Sequence, residues 1–344
     1  MKNVLEASEF LWNLQLGAGG HPVETVILGI KPTYSFDLYR PKGKSKGTIL
    51  TINGLAPLGP KDPRFIKVNE AFVKLGYTVL CPFLEEICSF KISKKNITDI
   101  VNVIELTFEN EDLNLPKNIG IFAPSFSGGL SLIAATDPKV SNSIQSMLLV
   151  GSYSKVDELI RYLFETQDTD EYGRLILLWN FMFLGLGERP KLKKALELTI
   201  LDNYFKRKPG EFESYWNELD SLDRDIYLKV KNDPKFRMDV WDKVVQNGGG
   251  FVSLLQDLNV TGKLEQLFSP VALVHGKNDD VVPSTQSKTV YDELKDKKIP
   301  AKLCITNLLG HGDTGFSLKA IWEIFPLIAT FAFFFKNLKE KSRL

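Results

Sequence analysis

A regular alternation of short apolar runs with amphipathic stretches limits the fold of this chain more than any other feature. Each apolar run is short enough for one buried strand, and the stretches between them have the apolar spacing of helices, as at residues 65–75 and 97–104. The apolar runs after Gly47 occupy residues 47–54, 77–83, 118–124, 143–153, 270–276 and 301–307. This alternation predicts an α/β fold, in which a mostly parallel sheet has helices on both faces.

The alternation is interrupted once. Residues 154–265 are rich in aromatic side chains and predict helices only, after which strands and helices alternate again. We therefore predict an N-terminal leader without strong periodicity at residues 1–22, and an α/β core made of residues 23–153 and 266–344. Residues 154–265 form an all-helical insertion before the last two strands. Its aromatic residues either build a small core of their own or line an apolar pocket for an acyl or alkyl group.

The charge and cysteine content exclude several classes of function. The 344 residues include 43 Lys and Arg and 42 Asp and Glu, a formal net charge of +1, so we expect no nucleic-acid partner. Three cysteines without a C-x-x-C pair and three histidines predict neither a disulfide framework nor a metal cluster. We expect no metal and no organic cofactor, and reduced thiols fit a cytoplasmic protein.

The two ends of the sequence predict no targeting or membrane-spanning segment. Two acidic residues lie within the first nine, and no apolar stretch typical of a secretory signal follows. The longest apolar run, residues 324–335, is shorter than the ~20 residues needed to span a bilayer, so we expect a buried terminal helix. The alternative is a peripheral membrane contact through this helix, helped by nearby basic side chains. Those side chains are Lys336, Lys339, Lys341 and Arg343.

A serine stands at a sharp strand-to-helix junction. The run Ala123-Pro-Ser125-Phe-Ser127-Gly-Gly129 separates a strand-like run from a helical one. A nucleophilic serine in such a turn needs small residues two positions before and after it, and Ala123 and Ser127 meet this requirement around Ser125. Ser127 is the rival nucleophile, since Ser125 and Gly129 are also small. Its non-catalytic alternative is a cap or first-turn residue of the following helix.

A serine hydroxyl needs a base to remove its proton, and the base needs an acid to orient it. The candidate bases are His311, in a loop after the last strand-like run, and His275, next to an acidic turn, whereas His21 precedes the core. The candidate acids are Asp279 and Asp280, which follow a strand-like run. Ser125, either aspartate and His311 follow one another in the order Ser, Asp, His along the chain, which the α/β-hydrolase triad requires.

With these motifs the chain resembles the α/β-hydrolase fold superfamily. The segment His275–Pro283 is similar to the family's H-G-x-x-D-x-x-V-P acid turn, and Gly310-His311-Gly312 to its histidine loop. The strand and loop at residues 48–56 resemble the segment that donates to the family's oxyanion hole. The resemblance covers about residues 35–154 and 265–337, and the insertion stands where the family has its cap.

The resemblance implies a role for each candidate. Ser125 would be the nucleophile, His311 the base and Asp279, rather than Asp280, the acid, while His275 would be structural. The oxyanion would bind to the backbone N–H groups of Phe126 and Leu55.

Three positions depart from the family's usual pattern. Ala123 and Ser127 replace glycines, which leaves small residues around the nucleophile. Asn53 stands where the family usually has histidine, so the shape of the oxyanion loop is the part of the site that this departure affects.

The sequence thus predicts a serine hydrolase that cleaves a small-molecule ester through an acyl-enzyme, with no cofactor. A thioesterase, a peptidase or an acyltransferase could use the same triad. An aspartate-nucleophile hydrolase is disfavoured because the turn offers serine. The alternative from another class is a non-catalytic protein that holds a small apolar ligand on the same fold. The sequence does not specify an oligomeric state.

Overall fold

Eight strands form one sheet in the computed structural model, which describes residues 2–17, 19–247, 249–309 and 322–339. The strands are β1 Val23–Leu28, β2 Tyr34–Tyr39, β3 Thr48–Thr51, β4 Thr78–Pro82, β5 Ile119–Pro124, β6 Ile144–Val150, β7 Val271–Gly276 and β8 Ala301–Thr306. Every strand-like run of the sequence therefore forms a strand. Burial of nearly every residue in β3 to β7 explains why these runs are continuously apolar rather than alternating.

The sheet is mostly parallel, which confirms the predicted fold class. Its order is β1-β2-β4-β3-β5-β6-β7-β8; β1 pairs with β2 and β2 with β4 in antiparallel fashion, and all other pairs are parallel. Parallel neighbours need a crossover between them, and here helices supply it. The carboxyl ends of β3, β5, β6, β7 and β8 consequently lie at one edge of the sheet, where sites form in folds of this kind.

Helices connect the strands and follow them. The helices are α1 Lys2–Leu16, α2 Pro63–Lys74, α3 Glu85–Cys88, α4 Lys94–Glu109, α5 Phe126–Ala134, α6 Val156–Glu165, α7 Glu171–Phe181, α8 Phe183–Leu186, α9 Pro190–Phe205, α10 Glu211–Tyr215, α11 Ser221–Asn232, α12 Pro234–Asn247, α13 Gly249–Leu258, α14 Ser284–Asp296 and α15 Ile324–Lys339. Between β6 and β7 the described residues contain helices and no strand, as the sequence predicts. The final helix begins at Ile324, and residues 310–321 lie outside the described part of the chain.

The first 22 residues contain a helix, although their sequence has no strong apolar periodicity that would predict one. Helix α1 buries Ala7, Phe10, Leu11 and Leu14 in the core, with helical spacing. Its outer face is also apolar: Trp12 is 64% exposed. Apolar residues on both faces blur the periodicity, so the sequence pattern hides a helix that belongs to the core.

The terminal helix α15 packs into the same core as α1. Phe334, Phe335 and Leu338 are fully buried, and the rings of Phe10 and Phe331 lie 5.2 Å apart. These aromatic side chains form the core, as expected of a buried terminal helix. Among the described residues, no helix has the length and apolar character needed to cross a membrane.

The chain divides into two compact units. The larger unit contains the sheet and comprises residues 1–89, 93–155 and 258–344; the smaller one comprises residues 90–92 and 156–257. In the smaller unit the Trp241 ring is buried against Phe164 and Phe251, so part of its aromatic content does form a core of its own. The division of the chain into leader, core and cap remains a prediction.

Candidate active site

Ser125 has a backbone conformation that few non-glycine residues adopt. Its φ is 55° and its ψ −135°, and it lies between the last residue of β5 and the first of α5. The turn is fixed on both sides, since the Ser125 N–H donates to the Val150 carbonyl at 2.7 Å and the Gly128 N–H donates to the Ser125 carbonyl at 3.0 Å. Such strain costs about 1–3 kcal/mol and persists where the surrounding structure imposes it, often at functional sites.

Small residues around the turn are required by close contacts. A Cβ on Gly128 would lie 3.0 Å from the Ser152 side chain, and a Cβ on Gly129 would lie 2.4 Å from the Tyr153 ring. On the other side, a Cβ on Gly54 would lie 3.7 Å from the Ser125 Cβ. The first turn of α5 therefore packs closely on Ser152 and Tyr153, and the loop after β3 is in van der Waals contact with Ser125.

Ser127, the rival nucleophile, is fully buried. Its Oγ donates to the Asn53 carbonyl at 2.5 Å, whereas Ser125 is partly exposed. A nucleophile must reach its substrate, so the structure favours Ser125 over Ser127. The sequence allowed for a first-turn role of Ser127 but gave no sign of this hydrogen bond.

The two candidate oxyanion donors lie on segments next to Ser125. Phe126 is the first residue of α5, where backbone N–H groups have no partner within the helix, and its ring stacks on Tyr153 at 4.6 Å. Leu55 is partly exposed in the loop after β3. The Ile52 N–H continues the ladder toward this loop by donating to the Phe122 carbonyl at 2.9 Å. The β3–β5 pairing thus holds the Leu55 loop beside the Ser125 turn.

Asp279 is buried just after β7, whereas Asp280 is exposed. One carboxylate oxygen of Asp279, Oδ1, accepts from the backbone N–H groups of Val281 at 3.0 Å and Val282 at 2.8 Å. These bonds fix the carboxylate in one orientation. Asp279 rather than Asp280 therefore has the burial and rigidity that an orienting acid needs.

His275 is held as part of the acid turn. Its ring is fully buried, with Nε2 2.7 Å from the Val282 carbonyl oxygen and Nδ1 2.6 Å from Ser287 Oγ. A carbonyl oxygen only accepts hydrogen bonds, so Nε2 carries a proton. Nε2 is also 3.6 Å from Asp279 Oδ2. Val282 and Ser287 therefore hold this buried ring in place.

His311 lies outside the described residues, so its position relative to Ser125 and Asp279 stays a prediction. The chain before it is described up to Leu309. The carbonyl oxygen of Leu309 lies 2.4 Å from where a Cβ on Gly276 would stand, so this residue lies against the end of β7, near the acid turn. His21 precedes β1, an edge strand, and its backbone N–H donates to Glu70.

No cluster of three or more His, Cys, Asp or Glu side chains suited to a metal occurs among the described residues. Cys81, Cys88 and Cys304 are free and buried. Burial raises the pKa of the Cys88 thiol to about 11 and that of Cys304 to about 11, which makes both poor nucleophiles.

Comparison with known proteins gives similarity to solved structures only. No known family profile matches this chain, and no curated protein sequence matches it. An acylaminoacyl peptidase of Pyrococcus horikoshii is similar with a TM-score of 0.55 and 16% identity, covering 95% of this chain and 43% of the peptidase. A puromycin-hydrolyzing peptidase of Mycobacterium tuberculosis has a TM-score of 0.57 and 14% identity, covering 94% of this chain and 40% of that one.

An esterase of Pyrococcus furiosus is similar over nearly its whole length. Its TM-score is 0.52 at 14% identity, with 94% of this chain and 92% of the esterase covered. The present chain spans about two fifths of the length of the two peptidases. Together with the sheet order, these similarities show that the chain has the α/β-hydrolase fold.

Proposed function

We propose that this chain, which has the α/β-hydrolase fold, is a serine hydrolase that cleaves an acyl bond through a covalent acyl-enzyme. Ser125 attacks the acyl carbonyl, His311 takes the serine proton as general base, and Asp279 orients His311. The backbone N–H groups of Phe126 and Leu55 bind the oxyanion. His311 then protonates the leaving group, and water hydrolyses the acyl-enzyme.

The strained backbone of Ser125 supports this proposal more than any other observation. A serine with φ 55° at the junction of β5 and α5 presents its hydroxyl at the carboxyl edge of the sheet. The N-terminus of α5 adds a partial positive charge where negative charge develops in acyl transfer. The rigid, buried Asp279 lies after β7, two strands away at the same edge.

A carboxylic ester with a small or apolar acyl group is the substrate that we favour. The similar esterase is covered over 92% of its length, whereas each of the two peptidases extends well beyond the match. The two similar peptidases make a peptidase the second candidate. Like the esterase, they share only the fold with this chain. A thioesterase or an acyltransferase with the same residues stays open.

The test is a chain-length series of p-nitrophenyl esters on the wild type and on Ser125→Ala. We expect Ser125→Ala to lose turnover by about 10³-fold or more, because no other group replaces the nucleophile. The matched control is Ser131→Ala, on α5, the helix that follows Ser125. Ser131 is fully buried and its hydroxyl has no hydrogen-bond partner among the described residues, so this variant keeps its turnover.

Retained turnover in Ser125→Ala would contradict the assignment of the nucleophile. A folded wild type that neither hydrolyses any ester nor reacts with a fluorophosphonate would favour the ligand-binding alternative. Turnover of an N-acylated peptide in place of the esters would favour the peptidase, and transfer of the acyl group to an added alcohol would favour an acyltransferase.

A further inference from the structure

Two side chains hold consecutive carbonyl groups in the loop that carries the Leu55 N–H. Asn53 Nδ2 donates to the Gly54 carbonyl oxygen at 2.8 Å. Ser127 Oγ donates to the Asn53 carbonyl oxygen at 2.5 Å. Two successive peptide groups of this short loop are therefore fixed by side-chain donors rather than by secondary structure.

The first of these hydrogen bonds sets the direction of the Leu55 N–H. The Gly54 carbonyl and the Leu55 N–H belong to the same peptide group, which is trans. A peptide group is planar, and in the trans form its C=O and N–H point in opposite directions. When Asn53 holds the oxygen of this group, it also fixes where the N–H points.

The second hydrogen bond ties the loop to the helix that begins after the nucleophile. Ser127 lies in the first turn of α5, two residues after Ser125 and next to Phe126. Its bond to the Asn53 carbonyl therefore joins the segments that carry the two candidate oxyanion donors. A glycine at position 127, the residue usual in the family that the sequence resembles, could not make this bond.

The surroundings of Asn53 allow its amide one useful orientation. Asn53 is 1% exposed, its Nδ2 is 3.9 Å from Cys88 Sγ, and a Cβ on Gly59 would lie 3.8 Å from its Oδ1. The nitrogen must face the Gly54 oxygen, because two carbonyl oxygens cannot bond to each other. Oδ1 has no partner among the described residues, and leaving such an atom buried costs about 1–3 kcal/mol.

We infer that Asn53 and Ser127 are positioning residues that preorganise the oxyanion hole, Asn53 by orienting the Leu55 N–H and Ser127 by fixing the loop to α5. This inference rests on the proposed function. An oxyanion donor acts on charge that develops only in the transition state, so its misalignment lowers kcat and leaves KM nearly unchanged.

The experiment compares two substitutions with two matched controls. Asn53→Ala and Ser127→Ala remove the positioning groups. Ser269→Ala removes another buried serine hydroxyl that donates to a backbone carbonyl, that of Ile144 at 2.9 Å. Asn96→Ala removes another buried amide, in the first turn of α4. Among the described residues, the side chains of Ser269 and Asn96 hydrogen-bond to Ile144, Ser93 and Glu86 and not to residues 53–55 or 125–127. For each variant we measure kcat and KM for a p-nitrophenyl ester and the Ki of a trifluoromethyl ketone, which forms a hemiketal with a reactive serine.

Removal of an oxyanion donor typically costs about 10²–10³-fold in kcat, and misalignment costs less. We therefore expect a fall in kcat of about 10–100-fold for Asn53→Ala and about 3–10-fold for Ser127→Ala, with KM within about twofold of the wild type. The Ki of the ketone rises by a similar factor, because its hemiketal oxygen occupies the same hole. The controls lower Tm but leave kcat and Ki unchanged.

An Asn53→Ala variant that keeps its kcat and Ki overturns the inference, and so does a change confined to KM. If Asn53→Ala does not fold, the comparison of Ser127→Ala with Ser269→Ala decides, and equal kcat values for those two variants overturn the inference. Failure of the proposed function is distinguishable, because turnover is then absent in the wild type or is retained in Ser125→Ala.

Discussion

Gly129 has no side chain because the ring of Tyr153 occupies that space. Tyr153 is fully buried, stacks on Phe126 and donates its hydroxyl to the Leu258 carbonyl at 2.8 Å, so it cannot move aside easily. We expect Gly129→Ala to lower the free energy of unfolding by about 1–3 kcal/mol, since overpacking outweighs the ~1 kcal/mol that alanine adds within a helix.

Urea unfolding followed by circular dichroism measures this effect. The matched control is Gly43→Ala, at an exposed position where a Cβ would have no atom within 4 Å. The explanation fails if the two variants unfold at the same urea concentration.

The residue types around the candidate site indicated its local backbone features but not the contacts between residues far apart in the sequence. Small residues around Ser125 indicated the sharp turn, and the acid turn indicated Asp279. The hydrogen bond from Ser127 to Asn53 joins residues 74 positions apart, so no local sequence pattern predicts it. The presence of Asn53, where the family that the sequence resembles usually has histidine, was visible in the sequence, but the hydrogen bond from its amide to the Gly54 carbonyl was not.

Two substitutions in α1 test how much this helix, which the sequence pattern did not predict, contributes to stability. The Phe10 ring lies 4.5 Å from Phe72 and is 1% exposed, whereas Trp12 on the opposite face is 64% exposed. We expect Phe10→Ala to destabilise the protein by about 3–5 kcal/mol through the cavity it leaves. Trp12→Ala changes the free energy of unfolding by less than about 0.5 kcal/mol.

The same urea experiment on both variants checks the role of α1. Equal effects of the two substitutions would mean that α1 is not packed on the core as described. Polar contacts also hold this helix: Glu6 is buried and accepts from the Tyr77 hydroxyl at 3.0 Å, and it pairs with Lys339 of α15.

The elements with one clear periodicity were the ones that the sequence predicted well. Strands β3 to β8 are short apolar runs, and the helical spacing that begins at residue 65 falls on α2, which has Asp62 as its cap and Pro63 in its first turn. Helix α1 was missed because both of its faces carry apolar residues, and long-range packing rather than a local pattern determines which face is buried.

We expect the folded protein to lose stability at alkaline pH. Burial raises the pKa of Tyr34 and of Tyr39 from 10.0 to about 12 in each case. Below pH 10 both phenols are neutral in the folded and the unfolded chain, so their contribution to stability is complete. Above pH 10 the unfolded chain ionises first, and this contribution is lost as the pH rises toward 12.

Unfolding free energies of the wild type and Tyr34→Phe, measured from pH 8 to 12, check this expectation. Tyr34→Phe loses the hydrogen bond to Asp99 at 2.8 Å and is about 1 kcal/mol less stable at pH 8. Because the variant has one less phenol to ionise, the difference narrows as the pH approaches 12. A difference that is constant over this range would contradict the assignment.

In the proposed mechanism, residues from distant parts of the chain make the Ser125 hydroxyl reactive. The most direct measurement is the rate of labelling by a fluorophosphonate, with the labelled residue identified by peptide mass spectrometry, in the wild type, Asp279→Asn and Asp280→Asn. We expect a single adduct on Ser125, labelling slowed by at least about 10²-fold in Asp279→Asn, and a near wild-type rate in Asp280→Asn. An adduct on Ser127, or equal rates in the two aspartate variants, would contradict it.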